Sequence, residues 1–385
     1  MFRVAALTAL VLAVGPAPAP ACTFCGDNVR AKPTLRMQYA QASAVLHGKL
    51  ANPRFDPKTD EGFTDLHVGT ALKDAPARGN QNVLTLRGYL PVVGDTPSEY
   101  LVFCTAKDGK LEVTAGLAAP AAVVAYLTGA AKLAENDPTA RLAYYFPHLS
   151  SPDATVAADA FVEFARAADA DIARAAKHFS PEALRKLIGD EKTPTERLGV
   201  FAFLLGVSGG PADAAFLEKL LKQQPLSARA RESFGGLLAG YVLLDPKGGW
   251  ALAQSVLADT ERPYSVRLSS LGAVRFFQAA RGAECKAEVL KCCAALLPDG
   301  DFADQAIEDL RRWGWWDLSP EVFAQFAKPT HAAPIVRRGI VRYALSCPND
   351  DAKKFVAAVR QSDPKLVAAV EEMLKLYDPV TPSKK

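Results

Sequence analysis

Apolar and polar residues change their period once along this chain, near residue 118. From Ser43 to Leu117 they alternate in five short runs: SAVLHGKL (Ser43–Leu50), FTDLHVGTAL (Phe63–Leu72), NVLTLRGYL (Asn82–Leu90), EYLVFC (Glu99–Cys104) and KLEVTAGL (Lys110–Leu117). Side chains of a strand point to its two faces in turn, so each run predicts a strand with one buried face. Clusters of Pro, Gly, Asn and Asp separate the runs, and Asp108-Gly109 between the last two predicts a two-residue hairpin turn. Five such strands within about 75 residues predict a small closed or partly open barrel of the five-stranded OB type. Ahead of them, Asn28–Ala42 has room for one short helix.

From Ala119 onward apolar residues recur every three or four positions, as in Val156, Ala160, Phe161 and Phe164, or Leu217, Leu220 and Leu221. Ser or Asp followed by Pro predicts helix starts at Asp137-Pro138, Ser151-Pro152, Ser180-Pro181 and Ser319-Pro320. The helices repeat. Segments 195–206, 229–240, 265–276, 304–315 and 335–346 share a small or polar start and an apolar stripe, with Arg197, Arg231, Arg267, Gln305 and Arg337 equivalent. These positions are 34, 36, 38 and 32 residues apart, and two-helix units at such a period predict an α-solenoid, with an earlier unit near Val156.

The first 21 residues read as an export signal: a positive start at Arg3, an apolar stretch from Val4 to Val14, and a Pro/Ala run ending in Ala19-Pro20-Ala21. Cleavage there makes Cys22 the mature N-terminus. Ala19 and Pro20 fit poorly the residues that precede a lipidated cysteine, so release is favoured over a lipid anchor on Cys22. Beyond residue 21 no apolar run reaches the roughly 18 residues of a membrane-spanning helix. The 385 residues are 49% hydrophobic with a formal net charge of +3. That composition excludes a disordered chain and leaves no basic field for nucleic acid. The expected location is the cell envelope, periplasm or extracellular space.

Seven cysteines follow: Cys22, Cys25, Cys104, Cys285, Cys292, Cys293 and Cys347. In an oxidising compartment they are expected to pair, with at least one left over. A bridge from Cys22 or Cys25 to Cys104 would close a loop of about 80 residues, worth about 3–5 kcal/mol by chain entropy. Cys285 and Cys292 share a helix at a separation of about 10 Å, too far to bridge, leaving Cys347 as their one external partner. Cys22-Thr23-Phe24-Cys25 has no following His for haem and no second such pair for a four-thiolate zinc site, so a structural disulfide is favoured over redox chemistry.

Candidate chemistry is sparse. His47 and His67 fall on neighbouring predicted strands, and His148 and His178 near helix ends, where a positive charge suits the helix dipole. No phosphate-binding loop, nucleophile elbow, zinc helix or dinucleotide fingerprint occurs, so no catalytic, cofactor-binding or metal-binding residue is assigned. Trp313, Trp315 and Trp316 stand out: exposed, they would make an aromatic patch for a protein or sugar; buried, they would fill the wedge between two repeats.

Two resemblances follow. The mature Cys-x-x-Cys, the Ala-Val-Leu-His-Gly strand and the Tyr-Leu-Val-Phe-Cys…Asp-Gly-Lys-Leu hairpin together resemble the netrin/TIMP-like OB-fold module. In that family the N-terminal cysteines are tied back to the barrel, which implies a bond from Cys22 or Cys25 to Cys104. Val-Arg followed by small and aliphatic residues at 266–274 and 336–345 is similar to the second helix of HEAT repeats. The expected architecture is an α+β multidomain chain: signal peptide (1–21), netrin-like OB barrel (22–117), all-α HEAT-like solenoid (118–378) and disordered tail (379–385). The expected role is an exported, non-catalytic scaffold that binds a protein partner through its solenoid. The netrin/TIMP resemblance implies a second role, metalloprotease inhibition through the amine and carbonyl of Cys22 with Thr23 and Phe24 in the wedge.

Overall fold

The structure, a computed structural model, describes residues 27–91 and 98–377. The expected signal segment, Cys22 to Cys25 and the expected tail lie outside the described residues.

All five predicted strands form: β1 (Ala44–Asp56), β2 (Glu61–Lys73), β3 (Val83–Arg87), β4 (Glu99–Lys107) and β5 (Lys110–Ala118). They make one antiparallel sheet in the order β3-β2-β1-β4-β5. The expected barrel is not closed. Closure of this order needs β3 against β5, but among the described residues the five-residue β3 pairs with β2 alone, and the short turn Pro76–Arg78 lies against β5 instead. Asp108 (φ 49°) and Gly109 (φ 74°) are both left-handed, the backbone of a type I′ hairpin turn joining β4 to β5. β1 and β2 run on past the predicted ends because Asn52 (φ 49°) and a register shift between Ala51 and Arg54 carry β1 through Pro53 as a bulge.

The sheet is buried on both faces at its centre. Leu46, Leu50, Leu66, Leu84, Leu86 and Val102 gather in one apolar cluster on one face. The alternate positions Val45, Leu101 and Phe103 turn the other way and join the helical core.

Among the described residues, two short helices precede the sheet, α1 (Asp27–Ala31) and α2 (Leu35–Gln41). Sixteen follow it: α3 (Ala121–Ala130), α4 (Pro138–Tyr145), α5 (Ala154–Arg166), α6 (Asp169–Ala175), α7 (Pro181–Gly189), α8 (Thr195–Ser208), α9 (Pro211–Lys222) and α10 (Ala228–Glu232), then α11 (Phe234–Leu244), α12 (Pro246–Ala258), α13 (Tyr264–Leu296), α14 (Ala303–Trp313), α15 (Ser319–Ala324), α16 (Pro334–Ser346), α17 (Asp350–Ser362) and α18 (Pro364–Tyr377). Asp137 and Ser180 cap α4 and α7 as predicted, accepting from the Ala140 and Ala183 amides. Two starts differ. Asp153 rather than Ser151 caps α5, and Ser319 lies inside α15 with its hydroxyl donating to the Trp316 carbonyl.

The five repeating segments stack in chain order, α8 on α11, α11 on α13, α13 on α14 and α14 on α16. Their surroundings are unequal. Residues 198–206 of α8 and 234–242 of α11 are buried on every side, whereas α14 and α16 keep a solvent face. Glycine permits the tight α8–α11 crossing: a Cβ on Gly236 would sit 2.3 Å from Gly199 Cα. α13 bends at Arg281 (φ −144°, ψ 36°), dividing it into two helical halves.

Candidate functional site

α14 ends at Gly314, whose left-handed backbone (φ 67°) turns the chain so that Trp315 N–H bonds back to Leu310 O at 2.9 Å. This turn places the three tryptophans together. Trp313 and Trp315 rings lie 5.2 Å apart, Trp316 meets Tyr343 at 4.9 Å, and the Lys286 ammonium sits 5.6 Å from the Trp315 ring. All three are half-buried against the main core, in the seam between α13, α14 and α16.

Among the described residues, Cys104, Cys285, Cys292, Cys293 and Cys347 are thiols with no disulfide between them. The expected pairing of Cys347 with Cys285 or Cys292 is not formed: α14 packs between α13 and α16, and the Cys347 sulfur lies 3.6 Å from Ser319 Oγ. Cys104 is fully buried on β4 opposite Ala44, and burial pushes its thiol up to about 11. Cys22, Thr23, Phe24 and Cys25 lie outside the described residues.

The histidines stand apart. His47 sits opposite Thr70 and its Nε2 meets the Ala119 carbonyl at 3.0 Å, while His67 is exposed opposite Lys49. His148 packs between Tyr126 and Tyr144 at 4.9 and 5.0 Å. Burial lowers its pKa, which opposes the expected dipole-favoured charge. His331 is fully buried, with Nε2 donating to Leu297 O at 2.7 Å and Nδ1 near Thr330 Oγ1 at 2.9 Å, a structural arrangement. No three His, Cys, Asp or Glu side chains among the described residues are grouped to hold a metal, and no described helix is long and apolar enough to cross a membrane.

The most developed polar surface is a cleft of about 400 Å³ across α13, α14 and α16. Asp304, Glu308 and Arg312 follow one another at four-residue spacing on α14 and so share one stripe. Glu308 is the hub. Arg311 reaches it at 3.0 Å, Arg312 at 2.8 Å and Arg342 of α16 at 3.0 Å. From α13, Arg275 donates to Asp309 at 2.6 Å and to Gln305 at 2.9 Å.

The neighbouring carboxylates are driven apart. Burial alone would raise Glu308, but Arg311, Arg342 and Arg312 outweigh it and hold its pKa below the usual range. At Asp309 burial wins over Arg275 and the pKa rises. Ile335, 64% exposed, and Gly339, whose added Cβ would meet nothing within 4 Å, line the same cleft. An apolar anchor thus borders a balanced set of fixed charges, an arrangement suited to recognising a partner.

No protein-family model matches this chain, and no curated protein matches it significantly. The tryptophan seam was visible in the composition; the cleft was not. Its charges are spread over residues 275 to 342, and only the stacking of α13, α14 and α16 assembles them.

Proposed function

We propose that this chain is an exported, non-catalytic scaffold that holds a protein partner in the charged cleft of α13, α14 and α16. On this reading the chain carries a HEAT-like helical array appended to a netrin-like sheet, and the array is the binding part. The observation that carries the proposal is the cleft itself: consecutive repeating helices align Arg275, Glu308 and Arg342 beside an exposed isoleucine. Complementary charges set specificity, and burial of the exposed isoleucine on binding would add affinity.

The test is photo-crosslinking in the native host. A benzophenone side chain replaces Ile335, with the same replacement at Lys354, an exposed position on α17, as control. The expected result is one discrete protein adduct from position 335, absent from position 354 and weakened by Arg312→Glu. Equal labelling from both positions, or none from 335, would sink the proposal. The intact mass of the same material tests export, since processing is expected to leave Cys22 first.

A further inference from the structure

A second cavity, of about 430 Å³, lies at the other end of the helical region, between α2, α4, α5 and the link into α6. Three guanidinium groups line it, and they are not equivalent. Arg36 is neutralised: its Nε donates to Glu163 Oε1 at 3.3 Å, and that carboxylate is 8% exposed. Among the described residues, Arg141 and Arg166 are held by main chain only. Arg141 donates to the Glu135 carbonyl, and Arg166 to the carbonyls of Arg30 and Lys32. Carbonyl oxygens orient a guanidinium but do not cancel its charge. The remaining carboxylate of the cavity, Asp171, is paired with Arg174.

The charges therefore do not balance. With Arg36 matched to Glu163 and Arg174 to Asp171, two positive charges are left facing a cavity with no described carboxylate partner. Met37, Pro138 and Leu142 supply an apolar wall beside them. We propose that this cavity binds a small organic dianion, a phosphomonoester or a dicarboxylate. Arg141 and Arg166 would take its anionic oxygens by fork-like hydrogen bonding, and the apolar wall would take the body. The site is distinct from the cleft of α14 and independent of its reading.

Calorimetric titration of the full exported protein tests this, with glycerol 3-phosphate and succinate as probes. The runs are made at about 10 mM ionic strength, where charges are least screened, and repeated at about 150 mM. The expected result is saturable one-to-one binding that weakens with salt. It should fall about tenfold or more in Arg141→Gln and recover in part in Arg141→Lys, as for loss of one charge-assisted hydrogen bond. Arg312→Gln, in the other cleft, should leave it unchanged. Binding of glycerol 3-phosphate alone identifies a phosphate site, and binding of both probes a general dianion site. Arg166→Gln also loosens α1, so Arg141→Gln is the deciding variant. No saturable binding of either probe, or affinity unchanged in Arg141→Gln, overturns the proposal.

Discussion

Asp159 lies in the middle of α5 with both carboxylate oxygens engaged: one accepts the Leu35 amide and the other the Tyr126 hydroxyl, each at 2.7 Å. Glu163, one turn on, holds Arg36. Burial raises the Asp159 pKa to about 6, although the bonds from Tyr126 and Leu35 pull it down; Glu163 adds to the rise and Arg36 opposes it. The unfolded value is near 3.8. A raised acid makes the folded state bind the proton more tightly than the unfolded one. This contribution to stability is therefore complete below about pH 4 and is lost as pH climbs through about 6. A shift of about two units corresponds to about 3 kcal/mol at pH 7. Asp159→Asn keeps an acceptor for Leu35 and removes the charge, so it should flatten the pH dependence. Urea midpoints of both proteins at pH 4.5 and 7 check this, and an unchanged difference between the two pH values would count against it. The sequence pattern placed Val156, Ala160, Phe161 and Phe164 in the core correctly, and all four are buried. It could not show Asp159 and Glu163 buried, because the segment that covers them comes from residues 34–36, more than 120 positions earlier.

Whole elements were more legible than single charges. The five strands and the repeating helical segments follow from periodicity and the Asp108-Gly109 turn from residue type, because each is decided by neighbours in sequence. The open sheet and the full burial of α8 and α11 depend on what lies across the fold, and periodicity carries no record of that. Two helical glycines separate these cases. At Gly236 an added methyl meets the backbone of α8, so Gly236→Ala should destabilise by about 1–3 kcal/mol through overpacking, more than helix propensity returns. At Gly339 the methyl would point into open space, so Gly339→Ala should stabilise by about 0.5–1 kcal/mol. Thermal midpoints of the two variants should move in opposite directions. A rise in both would mean that α8 and α11 do not approach as closely as described.

At the scale of the molecule, the question is whether the sheet and the helices unfold together. One continuous core runs from Val45, Leu101 and Phe103 of the sheet through α3, α5, α8 and α11 to α16. The protein carries a built-in reporter, because all four tryptophans, Trp250, Trp313, Trp315 and Trp316, lie in the helical region. Phe103 is 1% exposed on β4, and its loss to alanine should cost about 3–5 kcal/mol. A sheet that folded as an independent unit would leave the tryptophans blind to that change. With a shared core, Phe103→Ala should lower the urea midpoint of tryptophan fluorescence by the same amount as that of far-ultraviolet circular dichroism. The substitution sits far in sequence from every tryptophan, so a shift in their signal can reach them only through the packing that joins β4 to the helices. An unmoved fluorescence midpoint beside a lowered dichroism midpoint would show two units that touch without sharing stability.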